Sequence, residues 1–385
     1  MKQSSPGLTI LGLATLAAAL ASGCGSDGGD PQGGTGGSAP IGPVGFDEAT
    51  RTELEATGVT KYLGAFTPSR EETTEATTTY YFEADGSGPI CIWGSQYTMS
   101  SREGGSDGLL IYLEGGGACW SELCAAKSTA TVGILPLGWT DPDPTRNPFG
   151  DYDVVFASYC DGSVFSGDNE IVEDGGAKVR YHRGLRNLSA ALDIAKRKFP
   201  SPSHIVLAGS SAGGYGTLIG TALVRLVYPD QRLFVFNDAG IGLSNPEDPA
   251  MVDLLREEWK FSQFIPASCP ECQGDQLTTL IGWGLAADRS LKVGAFSSYG
   301  DFVIAGTFLK MEPPAFKAHL FAQTDPIHDA NPARFGRYFI TGTSHTAILA
   351  GYYDPRGSMP SVADWAKAMV TDETGWGDEI EPEAE

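Results

Sequence analysis

The chain has 385 residues, 41% of them hydrophobic and 19% charged, which is enough apolar side chain for one large core or two modest ones and points to a globular enzyme. Its formal net charge of −22 argues against nucleic acid and other polyanions as partners, because phosphate binding needs clustered Lys and Arg.

Lys2, an apolar stretch over residues 8–20 and the small residues Ala21-Ser22-Gly23 before Cys24 read as an export signal over residues 1–24, too short in its apolar part to span a bilayer comfortably. The stretch resembles a bacterial lipobox. The expectation is therefore a lipidated Cys24 and attachment to an outer membrane or cell surface, with secretion after ordinary cleavage as the alternative. Residues 25–45, rich in Gly, Ser, Asp and Pro, read as a flexible tether, and residues 46–371 as the catalytic body. The other six cysteines, Cys91, Cys119, Cys124, Cys160, Cys269 and Cys272, form an even set in a chain addressed to an oxidising compartment, so three disulfides are expected. Cys119 and Cys124 are close enough to staple one loop. Cys269 and Cys272 form either a disulfide or half of a zinc site, for which no second Cys pair or nearby His completes four ligands.

Residues 62–93, with alternating runs such as Thr78-Thr79-Tyr80-Tyr81-Phe82 and Cys91-Ile92-Trp93, predict an opening antiparallel meander. Buried strands are expected next at residues 108–113, 154–157 and 205–208, because their continuous apolar runs suit strands covered on both faces. A helix is expected over residues 182–199, where Leu185, Leu188, Ala191, Leu192 and Ala195 recur at helical spacing before Pro200, and another over residues 212–227. Further strands are expected at residues 233–236, 293–296 and 337–340, and residues 247–286 read as an inserted helical cap. Strands alternating with helices predict an α/β fold with a doubly wound, mostly parallel sheet. Residues 372–385 hold seven acids and no base and read as a solvated acidic tail.

Strand 205–208 runs straight into Gly209-Ser210-Ser211-Ala212-Gly213 and then a helix, the setting a nucleophile elbow needs: the glycines leave room for a strained turn that projects the serine hydroxyl at a helix N-terminus. Ser211 is therefore the candidate nucleophile. Its base and orienting acid are expected later in the chain. His345, just after the last predicted strand, is the candidate base among five histidines; Asp301, on the loop after strand 293–296, is the candidate acid, with Asp238 as its main rival. Leu113-Glu114-Gly115-Gly116-Gly117-Ala118 leaves the first buried strand where esterases keep a glycine-rich loop. Gly116 and Gly117, with Ala212 from the elbow, are the candidate oxyanion donors. The rival reading, a phosphate loop, lacks Gly-Lys-Ser/Thr. Phe165, Trp120 and Tyr215 are candidate pocket walls, and no metal or organic cofactor is implied.

Leu113-Glu114-Gly115-Gly116-Gly117 with a following cysteine pair, the run Tyr159-Cys160-Asp161-Gly162-Ser163, His182-Arg183-Gly184-Leu185-Arg186, the elbow with Gly214, and Asn237-Asp238-Ala239-Gly240 occur in that order. Together they resemble the pectin acetylesterase and Notum carboxylesterase family over roughly residues 80–345. The resemblance implies an α/β-hydrolase-like fold and a serine carboxylesterase acting on an acyl ester, such as an acetylated polysaccharide. It further implies Asp301 as the triad acid, beside Phe302, and His345 as its histidine, which makes Asp238 structural. Ala118 stands where the family has an aromatic, and Trp120 follows Cys119 instead. A peptidase using the same triad, and a scaffold without activity, are the competing expectations.

Overall fold

The computed structural model describes residues 44–84 and 86–383. The export signal, Cys24 and most of the tether lie outside the described residues. After α1 (Glu48–Ala56), the chain makes the expected meander, β1 (Arg70–Thr74), β2 (Thr77–Tyr81) and β3 (Thr98–Arg102), paired antiparallel. The predicted strand at Cys91-Ile92-Trp93 does not form. Gly94 closes a turn onto the Cys91 carbonyl and Cys91 is joined to Cys160, so the segment folds back on itself as a loop.

The main sheet continues through β4 (Gly108–Leu113) and β5 (Asp153–Ala157). A separate hairpin, β6 (Asn169–Glu173) and β7 (Lys178–His182), precedes α2 (Gly184–Lys198). Sequence periodicity missed this hairpin and started the helix at His182. Then come β8 (His204–Ser210), α3 (Ala212–Val227), β9 (Arg232–Asp238), α4 (Pro249–Trp259), α5 (Thr279–Ala287), β10 (Lys292–Ser298), α6 (Pro313–Ala330), β11 (Phe335–Ile340), the single turn α7 (Ala347–Ala350), α8 (Val362–Val370) and β12 (Glu379–Ile380). The order across the sheet is β1-β2-β3-β5-β4-β8-β9-β10-β11-β12. From β5 onward every pairing is parallel.

The parallel strands are buried on both faces, which explains their unbroken apolar runs. Alternate residues of β4 enter opposite cores. Leu109, Ile111 and Leu113 pack with Leu188 of α2 and Leu223 of α3, whereas Leu110 and Tyr112 pack with Val362 and Trp365 of α8. This is the doubly wound α/β architecture expected from the sequence. Residues 247–286 hold α4, two short 3-10 turns and most of α5, joined by loops, in the place predicted for a helical cap, and α4 and α5 bring Met251, Leu255 and Leu280 to the cavity beside Ser211. Cys91–Cys160, Cys119–Cys124 and Cys269–Cys272 are all disulfides, so the last pair is not half of a zinc site.

The acidic tail, expected to be solvated, is docked. Its acids find cations on the body: Asp372 meets Arg232 and Lys292, Asp378 meets Arg337, and Glu381 meets Arg356. The partners of Asp372 hold its carboxyl down at about 2. Trp376 stacks near Trp365, and β12 extends the parallel sheet beside β11. Counting acids in sequence could not show this, because each of these partners lies at least 25 positions away in the chain.

Candidate active site

β8 ends in a forced turn. Ser211 has φ 57°, a left-handed conformation that a residue bearing a Cβ adopts only when its surroundings impose it. They do so here: the Ser211 N–H donates to the Asp238 carbonyl at 2.7 Å, and α3 starts at the next residue. The flanking glycines are sterically required, since a Cβ on Gly209 would lie 2.1 Å from the Gly213 oxygen and one on Gly213 would lie 1.9 Å from the Leu113 oxygen.

The glycine loop after β4 abuts this turn. A Cβ on Gly115 would come within 3.1 Å of the Ser211 Cβ. Glu114 anchors the loop from behind, its carboxylate accepting from Lys127 Nζ at 2.7 and 2.8 Å, from Thr131 Oγ1 at 2.7 Å and from the Tyr159 N–H at 2.9 Å. The Gly116 carbonyl accepts from the Lys127 N–H and the Gly117 carbonyl from the Tyr159 hydroxyl, both at 2.7 Å. Gly117 has φ 79°, and a Cβ there would sit 1.9 Å from the Ala125 oxygen. With both carbonyls tied outward, the N–H groups of Gly116, Gly117 and Ala212 donate no hydrogen bond among the described residues. Gly117, Ser211 and Ala212 line one cavity.

Asp301 and His345 meet as the sequence predicts. Asp301 is fully buried, and its Oδ1 accepts from the Val303 and Ile304 N–H groups at 2.9 Å each, capping a π-helix over Phe302–Leu309. His345 Nδ1 lies 2.8 Å from Oδ2 and 3.0 Å from Oδ1. A carboxylate can only accept there, so Nδ1 carries a proton, and in the neutral ring Nε2 keeps its lone pair. Nε2 is buried without a hydrogen-bond partner. It is not bonded to the Ser211 hydroxyl, a contact that often tightens only when substrate is bound.

The rival acid, Asp238, does not contact the imidazole nitrogens. It is buried at the end of β9, which raises its carboxyl pKa, and accepts from Ser210 Oγ at 2.6 Å, Trp139 Nε1 at 3.2 Å and the Ala347 N–H at 2.7 Å. One residue thus holds both the elbow and the chain two positions after His345. Sequence reading assigned Asp238 a structural place but not this bridge, whose donors come from three distant segments.

Three of the remaining histidines are hydrogen-bonded elsewhere. His204 bonds Tyr152, His319 bonds Gln276 and His328 bonds the Phe335 carbonyl. His182 is buried near Arg180, which together with burial pushes its pKa down to about 3.

The cavity encloses about 920 Å³, counting the open solvent at its mouth. Trp120 and Tyr215 line it as expected, joined by Met251, Leu255, Ile304 and Phe308. Phe165 does not line it; its ring is buried behind, against Tyr159 at 5.3 Å, and its neighbour Val164 takes the wall position. The cap side chains escaped sequence reading because their spacing only says "helix", not what the helix covers. Glu258 and Trp259 at the end of α4 fix the cap to the disulfide loop, accepting from the Ser121 N–H and donating to the Cys119 carbonyl respectively.

A parallel sheet wound with helices on both faces, with a serine elbow after a central strand and an acid–histidine pair on loops after two later strands, defines an α/β-hydrolase-like fold. The chain belongs to the pectinacetylesterase family, whose model matches residues 69–268. That span contains the glycine loop and the elbow and ends before Asp301 and His345. Among curated relatives, the chain is 32% identical to pectin acetylesterase 4 of Arabidopsis thaliana over 146 residues, 34% of this chain and 36% of the relative. It is 30% identical to pectin acetylesterase 5 of the same plant over 175 residues, 42% and 41% of the two chains. It is also 30% identical to the palmitoleoyl-protein carboxylesterase notum2 of Xenopus laevis over 127 residues, 30% and 26%. The chain thus spans well under half the length of the curated relatives it matches.

Proposed function

We propose that this protein is a serine carboxylesterase whose acyl group is an aliphatic chain longer than acetyl. The observation that carries the esterase reading is the Asp301–His345 pair, with a free Nε2, tied through Asp238 to the strained serine turn, since Asp238 bonds both Ser210 and Ala347. In the proposed mechanism His345 Nε2 takes the Ser211 proton as Oγ attacks the ester carbonyl. Gly116, Gly117 and Ala212 donate to the oxyanion, each such donor contributing roughly 3 kcal/mol to the transition state. The tetrahedral intermediate collapses as imidazolium returns the proton to the departing alkoxide. Water, deprotonated by His345, then attacks the acyl-enzyme and releases the carboxylic acid and free Ser211.

The chain-length part rests on the cavity wall, which is built from Trp120, Met251, Leu255, Phe308 and their apolar neighbours. A methyl group would leave most of that surface unfilled, whereas each methylene buried there is worth about 0.8 kcal/mol, or roughly fourfold in specificity. The names of the relatives span both options, an acetyl group on pectin and a palmitoleoyl group on protein. Acetylated polysaccharide is the second reading, favoured by the two Arabidopsis matches.

The test is a series of p-nitrophenyl esters from acetate to octanoate beside a p-nitroanilide. kcat/KM is expected to climb with chain length and the anilide to react least. A maximum at acetate would sink the chain-length reading, and faster amide than ester turnover would favour a peptidase. Export is part of the same reading, supported by the three disulfides. The mass of the mature N-terminal peptide checks it: a diacylglyceryl adduct on Cys24 is expected, and an intact Met1 terminus on protein retained in the cytoplasm would refute it.

A further inference from the structure

A chain with a formal charge of −22 carries three uncharged segments around the candidate site: residues 128–140, Phe302–Leu309 and residues 338–353, whose one titratable base is His345. Of the eight exposed large apolar side chains among the described residues, five stand on these segments: Val132, Leu135, Leu137, Phe302 and Leu349. Single exposed apolar residues are ordinary, but a cluster around one site is not.

The three segments adjoin. Residues 128–140 begin next to Lys127, whose N–H is bonded to the Gly116 carbonyl, and reach Gly138, where a Cβ would lie 2.5 Å from Ile348 Cγ1 and where the N–H donates to the Tyr353 hydroxyl at 2.8 Å. This loop therefore runs along the rim from the glycine loop to the turn after His345. On the other side of that histidine, the Phe302 N–H donates to the Thr343 carbonyl and its ring stands edge-on to the imidazole at 6.4 Å. The helix that Phe302 opens turns Ile304 and Phe308 into the cavity. Apolar surface thus passes from outside, past the serine and histidine, into an apolar interior.

We infer that this rim docks on the surface of an aggregated, uncharged lipid-type ester, so that an acyl chain passes from an apolar phase into the cavity without crossing bulk water. The inference deepens the esterase reading and rests on it for the acyl chain. The three segments themselves bring no charged side chain, with Arg146 over the Tyr353 ring and the Arg356–Glu381 pair at Thr341 as charged neighbours; this fits a neutral surface, while the overall negative charge disfavours an anionic one. A second copy is a poor occupant: five side chains offer a patch of a few hundred Å², short of the roughly 800 Å² per partner of a stable dimer, and two copies would each bring a charge of −22.

The test uses Val132→Asp/Leu137→Asp/Leu349→Asp, with Val172→Asp, an exposed apolar residue on the β6 strand, as control. With Cys24→Ala in every protein, so that no lipid on residue 24 takes part, wild type, control and Ser211→Ala should float with triolein droplets, and the triple variant should not. On emulsified tributyrin the triple variant should be at least tenfold slower than wild type, yet within twofold of it on dissolved p-nitrophenyl butyrate, which also reports that it is folded. Equal flotation of the triple variant, or no flotation of wild type, overturns the inference. So does a wild-type dimer that the triple variant dissociates, because a second copy would then cover the patch. Should wild type be inert on every dissolved ester, the esterase reading fails, while flotation of Ser211→Ala still decides the docking.

Discussion

Asp301→Asn is expected to lower kcat by about 10⁴-fold, or about 5.5 kcal/mol, with little change in KM. The geometry fixes how the amide would sit. Oδ1 receives two backbone N–H groups, from Val303 and Ile304, so the asparagine must keep its carbonyl oxygen there. Its NH₂ then takes the place of Oδ2, 2.8 Å from His345 Nδ1. Two donors cannot face each other, and Oδ1, 3.0 Å from Nδ1, has both lone pairs taken by the Val303 and Ile304 N–H groups, so Nδ1 becomes the acceptor and the imidazole proton moves to Nε2. A protonated Nε2 cannot take the Ser211 proton. The cap on the π-helix survives, and the melting temperature should stay within a few degrees of wild type. Substituting the rival in the same way, Asp238→Asn, leaves the imidazole tautomer untouched, because Asp238 bonds Ser210, Trp139 and Ala347 rather than His345. Stopped-flow and steady-state rates on one ester separate the two. Near-normal kcat in Asp301→Asn would show that the acid is elsewhere.

Most strands of the parallel sheet were legible in the sequence because burial on both faces leaves few polar positions along them: Leu109 to Leu113 and Ile205 to Ala208 are apolar throughout. The elbow and the glycine loop were legible for a steric reason, since glycine stands at Gly209, Gly213 and Gly117 where a Cβ would strike a carbonyl oxygen at about 2 Å. The His345 and Asp301 positions followed from chain order and strand ends. The β6–β7 hairpin was not legible, because its strands are only five residues each, too short for a clear period, and Asn169-Glu170-Ile171-Val172-Glu173 does not alternate. The tail was misread for a different reason. Its acids look solvated alone, and only the fold brings Arg232, Lys292, Arg337 and Arg356 to meet them. The cavity lining and the Asp238 bridge were out of reach in the same way, since each gathers residues from segments far apart in sequence.

The Ser211 hydroxyl has three aids that an ordinary surface serine lacks: a turn held at φ 57°, the N-terminus of α3 beside it, and an imidazole, tied to the same turn through Asp238, whose free nitrogen has its tautomer set by Asp301. Together these should raise its reactivity by several orders of magnitude, and Ser211→Ala should lose roughly 10⁴-fold or more of the ester turnover. The most direct measurement treats the protein with a fluorophosphonate and locates the adduct by peptide mass. One adduct per chain is predicted, on Ser211, in step with loss of esterase activity, and none on Ser211→Ala. Full activity in Ser211→Ala, or an adduct on another residue that tracks inactivation, would contradict the account.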